Sequence, residues 1–128
     1  MGANWKLVFY KPPGKAEAPV RKFLKDKCLR KDEKAKLTER LKLLAKEGSQ
    51  LAVDMPAVLH PLKGERYRKI YELRVSGTPS NPRIFLFISD KKEIVLLFGV
   101  RKKGAKAKEM ERYYRRAADL RDEWLQRT

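Results

Sequence analysis

Three runs rich in β-branched and aromatic residues, "KIYELRVS", "RIFLFIS" and "EIVLLFGV", follow one another over residues 69–100, parted only by "GTPSNP" and "DKK". Glycine, proline, asparagine and aspartate at the two breaks are turn formers, and the runs between them are strands. A parallel pair needs a crossover of a dozen or more residues, which neither break supplies. The three strands therefore form an antiparallel meander, and the rest of the chain has to extend it or pack on it.

The flanking segments have the patterns that such a sheet needs. "NWKLVFY" (residues 4–10) alternates Trp5, Leu7 and Phe9 with polar or second-face positions until "KPPGK" stops it, a first strand expected to join the meander. Starting at Pro19, Val20, Phe23, Leu24 and Cys28 recur at helical spacing; after Asp32, Leu37, Leu41, Leu44 and Ala45 do the same until Gly48. The two segments read as a helical hairpin. "LAVDMPAVLHPLKGERY", punctuated by Pro56, Pro61 and Gly64, is expected to be an extended loop. Met110, Tyr113, Ala117, Leu120 and Trp124 fall three or four apart and make one apolar stripe on a closing helix. The fold class is α+β: a small twisted antiparallel sheet of about four strands, two N-terminal helices and a C-terminal helix. All 128 residues read as a single domain with no internal repeat. Trp5, Phe9, Phe85, Phe87 and Trp124 sit in apolar periodic runs and are expected in the core.

Charge then narrows the partners. There are 32 Lys and Arg against 16 Asp and Glu, a formal net charge of +16. Such a chain repels itself and favours an anionic partner, nucleic acid first. The surplus is uneven: residues 55–108 hold 13 Lys and Arg against 4 Asp and Glu, the remainder 19 against 12. "RKDEKAK" and "RDEWLQR" mix both signs, as solvated helix faces do. By contrast, "VRKKGAKAKE" carries Arg101, Lys102, Lys103, Lys106 and Lys108 before its first acid. No run approaches the roughly 18 apolar residues of a membrane span, and no export signal opens the chain. The one cysteine, Cys28, can build neither an internal disulfide nor a zinc site. A cytoplasmic protein without a membrane partner is expected.

The usual signatures of nucleotide, dinucleotide, serine-hydrolase and zinc-protease chemistry are absent. His60 is the only histidine, and Glu65, Glu72, Asp90 and Glu93 are not spaced as a two-metal set. No metal and no cofactor is expected. Phosphodiester chemistry remains open, because RNA carries its own nucleophile. The 2′-hydroxyl attacks phosphorus, and the protein has only to accept that proton, supply one to the leaving 5′-oxygen and stabilise the phosphorane. A crowd of cations suits the last task and depresses the pKa of any lysine within it.

Read in order, "FYKPPGKAEAPVRKFL", "LKLLAKEGSQL", "HPLKG", "IYELRVSG", "PRIFLFI" and "EIVLLFGVRKKGAKAKEMERYYRRA" resemble HigB-like toxins of the RelE/ParE superfamily, in particular the phage-derived HigB-type branch, over residues 5–120. The resemblance implies a type II toxin: a metal-independent mRNA endoribonuclease that works on the ribosome and is silenced by a cognate antitoxin, a small helix-turn-helix protein. It implies a basic site built from Lys63, Arg66, Arg68 and Lys69 before the middle strands, Arg74 in Y-E-L-R, Arg83 after the turn, and Arg101, Lys102 and Lys103 beyond the last strand. Relatives use a His or a C-terminal Tyr as acid or base, which makes His60, Tyr113 and Tyr114 candidates. Phe98, Gly99 and Gly104 stand where the branch often has His and Thr.

At single residues two readings stay open. Glu72 and Arg74 share a strand face and suit a structural ion pair as well as a site. Arg83 follows a turn expected to be flexible, where it would face a phosphate, and Lys102 and Lys103 stand at a strand exit beside Gly104, open to a nucleic-acid backbone. Tyr113 lies on the apolar stripe, and His60 is either a base or a loop residue. The expected catalytic set is Arg83, Lys102, Lys103, Arg74 and His60; Lys63, Arg66, Arg68, Lys69, Arg101, Lys106 and Lys108 are expected to bind RNA. Two other functions stay open: a non-catalytic basic module binding nucleic acid or ribosomes, which the composition fits, and a ParE-type inhibitor of DNA gyrase, which the superfamily resemblance implies.

Overall fold

The computed structural model describes residues 5–127; Asn4, first residue of the expected opening strand, lies outside them. The meander is its centre: β3 (Ile70–Arg74), β4 (Pro82–Ile88) and β5 (Glu93–Arg101) pair antiparallel in chain order. Two further strands extend it into a five-stranded sheet, ordered β1-β5-β4-β3-β2. β1 (Lys6–Phe9) joins β5, and it runs parallel, so the sheet is mixed. β2 (Leu59–Pro61) pairs antiparallel with β3, inside the segment expected to be a loop, and the helix α3 (Gln50–Asp54) lies there too. The prolines do not prevent β2 because it is an edge strand that ends at Pro61, where a missing N–H breaks no ladder.

β4 is buried at every position, as a near-continuous apolar run must be when both faces are covered. One face carries Leu73, Ile84, Leu86, Ile94 and Leu96 beneath α1 (Pro19–Leu24), α2 (Lys31–Glu47) and α3. The other carries Ile70, Phe85, Phe87, Val95 and Phe98 beneath the long helix α4 (Ala107–Arg127). Leu86 faces Leu96 but Phe85 faces Phe98, so Leu97 is an extra residue, a bulge that turns both Leu97 and Phe98 toward α4.

Local chemistry sets the helix ends. α1 stops at Leu24, earlier than the apolar spacing through Cys28 suggests. The Asp26 carboxylate accepts the Cys28 N–H at 2.8 Å, leaving Cys28 exposed and Leu29 buried. α2 ends at Gly48, whose φ is 61° and where a Cβ would lie 1.9 Å from the Trp5 ring; Trp5 N–H donates to the Ala45 carbonyl at 2.8 Å. Gly48 thus docks the opening strand on α2. Tyr10 packs edge-on against Trp124 at 5.5 Å and donates its hydroxyl to Glu123, tying α4 to the same end. Glu33, read from the sequence as part of a solvated helix face, is fully buried. Among the described residues no helix is long and apolar enough to cross a membrane.

Candidate functional site

Alternation along β3 puts Glu72 and Arg74 on the α4 face, in phase with Ile70. Across the ladder His60 stands opposite Glu72, and Arg83 stands opposite Arg74. Two arginines facing each other across strands repel, and the pair persists because Glu72 lies between them. Its Oε1 accepts Arg74 Nε at 2.7 Å and sits 3.2 Å from Arg83 Nη1, an ion pair off the line of a hydrogen bond. Arg83 is not the open, phosphate-facing residue that a flexible turn would give. Its side chain is 6% exposed and that of Glu72 1%, while Arg74 keeps 27%.

Burial leaves this cluster incomplete. Among the described residues, Glu72 Oε2, Arg83 Nε and Arg83 Nη1 have no hydrogen-bond partner, a concentration of unmet polar groups that calls for an explanation. Burial pulls the Arg83 pKa down, with Glu72 opposing and Arg74 assisting. His60 is also pulled down, by burial first and then by Arg74, so its imidazole is neutral near pH 7 and can accept a proton. Tyr114, on α4, completes the group. Its ring packs edge-on to Phe85 at 5.9 Å, and burial followed by Glu72 raises its pKa, keeping the phenol protonated. Tyr113 packs beside it against Phe85 and Phe98. Tyr114 adjoins the apolar stripe; its phase with Met110 and the C-terminal tyrosine that the resemblance implies are the sequence signals for it.

The turn before β4 is pinned. Glu33 Oε2 accepts Ser80 N–H at 3.0 Å and its Oε1 accepts Arg30 N–H at 2.9 Å, while Asn81 Oδ1 accepts Gly77 N–H at 3.1 Å. The strand exit is hung on the same turn, with Lys102 N–H donating to Asn81 O at 3.2 Å and Lys103 N–H to Ser80 O at 3.1 Å. Lys102 is half-buried; Arg101, Lys103, Lys106 and Lys108 are exposed. Lys63 is exposed beyond β2 and contributes to the field at His60. Arg66, Arg68 and Lys69 belong to another network: Arg66 pairs with Asp119 and Asp122 of α4, Arg68 with Glu65 and Lys69 with Asp90. Arg121 Nη1 and Nη2 donate to the Arg68 and Arg66 carbonyls, closing that latch. Among the described residues no three His, Cys, Asp or Glu side chains gather as a metal-ligand set.

Fold and site together define a small α+β protein whose sheet carries a cation cluster braced by a buried carboxylate. The phage derived protein Gp49-like family (DUF891) matches residues 26–120, most of the chain, and the protein belongs to that family. The matched span contains His60, Glu72, Arg74, Arg83, Lys102, Lys103 and Tyr114; β1 and α1 precede it. No curated protein matches the chain.

Proposed function

We propose that the protein is the toxin of a type II toxin–antitoxin pair, a metal-independent endoribonuclease that cuts mRNA on the ribosome and is held inactive by a cognate antitoxin, a small helix-turn-helix protein. Membership of the Gp49-like family and the resemblance to HigB-like toxins support the class. The observation that carries the chemistry is the gathering of a neutral imidazole, a protonated phenol and two arginines around Glu72. In the proposed reaction His60 accepts the proton of the 2′-hydroxyl as the 2′-oxygen bonds to phosphorus. Tyr114 gives its proton to the 5′-oxygen as the P–O5′ bond breaks, leaving a 2′,3′-cyclic phosphate and a 5′-hydroxyl. Arg74, with its exposed edge, meets the phosphorane oxygens, and Arg83 supports it from beneath through Glu72. Lys102 and Lys103 grip the flanking backbone.

Induction of the chain alone, followed by mapping of 5′ ends on a translated mRNA, tests this reading. Growth arrest with new 5′-hydroxyl ends is expected, and both should vanish in His60→Ala. Soluble protein that neither slows growth nor cuts mRNA overturns it. Inhibition of gyrase supercoiling without cleavage would assign the ParE-type activity instead, and neither activity would leave a basic binding module.

A further inference from the structure

We propose that the uncovered edge of β5, between α1 and α4, is a docking site for an extended acidic peptide that adds to the sheet as a strand. The β1 ladder covers β5 only from Glu93 to Leu96, and the last backbone bond on that side joins Tyr10 N–H to Leu96 O at 3.2 Å. Beyond it, residues 97–101 have β4 on one side and, among the described residues, no strand on the other. Leu97 and Phe98 are buried and α1 packs on Gly99 through Phe23, but Gly99 and Val100 stay half-buried and Arg101 exposed, so the end of this edge is open. A bare strand edge is a template for another chain.

The space beside the edge has the character of a peptide groove. A cavity of about 580 Å³ lies against Pro19, Phe23 and Gly99, and a neighbouring one of about 390 Å³ continues past Val100 and Tyr113. Phe23 forms the floor; its ring fills the place of a Gly99 side chain, where a Cβ would lie 2.2 Å away. The walls are cationic: Lys15, Lys22 and Lys25 on the α1 side, Arg116 stacked 4.5 Å over Phe98 on the α4 side, and Arg101 and Lys103 at the far end. Among the described residues that line the groove, only Glu17 and Asp26 oppose them, and Glu17 is already paired with Lys25.

These features select the occupant. A second copy of a chain with net charge +16 is repelled by the walls. RNA satisfies the walls but has no use for an apolar floor or for a row of strand N–H and C=O groups. A strand with acidic residues on its edges and apolar ones over Phe23 uses all three features. The inference does not rest on the ribonuclease reading: the groove shares Lys103 with the proposed RNA track, but none of its lining belongs to the cluster of His60, Glu72, Arg74, Arg83 and Tyr114.

The test is titration of the ¹⁵N-labelled full chain with an acetylated peptide of about nine residues alternating Glu and Val, against the same peptide N-methylated at alternate backbone amides and a single-stranded RNA of about 12 nucleotides. The acidic peptide should shift the amides of residues 97–101 and slow hydrogen exchange at Gly99 and Arg101, whose N–H groups face away from β4, and N-methylation should weaken it at least about tenfold. The double variant Lys22→Glu, Arg116→Glu, checked for an unchanged amide spectrum in the sheet, should lose about as much. Binding that leaves those amides unprotected, equal binding of the N-methylated peptide, or no binding at roughly millimolar peptide overturns the proposal. Protection of those amides by the RNA alone makes the groove a nucleic-acid track and overturns it equally.

Discussion

Glu72 decides how the arginines around it behave when mutated. Arg83 is buried against it, so Arg83→Ala strips a fully buried carboxylate of one partner and leaves a void. A loss of about 3–5 kcal/mol in unfolding free energy is expected from denaturant titration. Arg74→Ala leaves a smaller void but takes the hydrogen-bond donor from Glu72, so it should cost about 1–3 kcal/mol while lowering mRNA cleavage roughly a hundred- to thousandfold. The two arginines therefore separate in paired stability and rate measurements; equal loss of stability in both would contradict the assignment. His60 gives the pH dependence. Burial and Arg74 hold its pKa below the ordinary imidazole range, and the base must be neutral to work. Cleavage should hold constant from pH 8 down through 7 and fall only below about 6.5, the unperturbed value. An acid limb centred above that value would remove His60 as the base.

The turn between β3 and β4 is the element on which the cations depend. Burial pushes the Glu33 pKa up, but hydrogen bonds from Thr78, the Arg30 backbone and Ser80 outweigh it, and the net shift is downward. A depressed carboxylate contributes stability above its unfolded pKa and loses it as pH falls through the folded one. Glu33→Gln should thus cost about 1.5–3 kcal/mol near neutral pH, with the difference from the parent shrinking below the ordinary glutamate range. The meander was legible in the sequence because turn chemistry and β-branched runs are local signals. β2 and α3 were not, being short and set among prolines, where tertiary pairing outweighs pattern. The burial of Glu33, which the mixed charges of "RKDEKAK" disguise as a solvated face, is not legible because its partner Ser80 lies far along the chain. Arg83 looked open because a turn precedes it, yet its phase with Phe85 and Phe87 already assigned it to the face that α4 covers. The gathering of Tyr114 with β3 and β4 depends on how α4 crosses the sheet, which no local pattern encodes.

At the scale of the whole molecule the charge surplus works against the fold and, in the proposed function, for an RNA partner. With 32 cationic side chains against 16 acidic ones, the folded state concentrates its own repulsion. Added salt should raise the melting temperature by screening that repulsion while it weakens RNA binding with a steep negative slope. Thermal scans and RNA titrations over about 50–500 mM salt should therefore move in opposite directions. A melting temperature that falls with salt would mean that the ion pairs of Arg66, Lys69 and Glu72 outweigh the surplus.

The parallel pairing of β1 with β5 also orders events during synthesis. The seat of Trp5 at Ala45 and Gly48 is complete in the sequence once α2 has been made, well before β5. The strand beside which β1 finally lies is the last of the five to be made. Until then the nascent chain holds an N-terminal strand anchored by one indole, with its hydrogen-bonding edge unsatisfied. Closing so long a loop is slow, and the sheet face bearing Arg74 and Arg83 has no lid before α4 follows. In the proposed function, a nascent chain that has not yet reached α4 therefore lacks both the phenol of Tyr114 and the cover over Arg74 and Arg83.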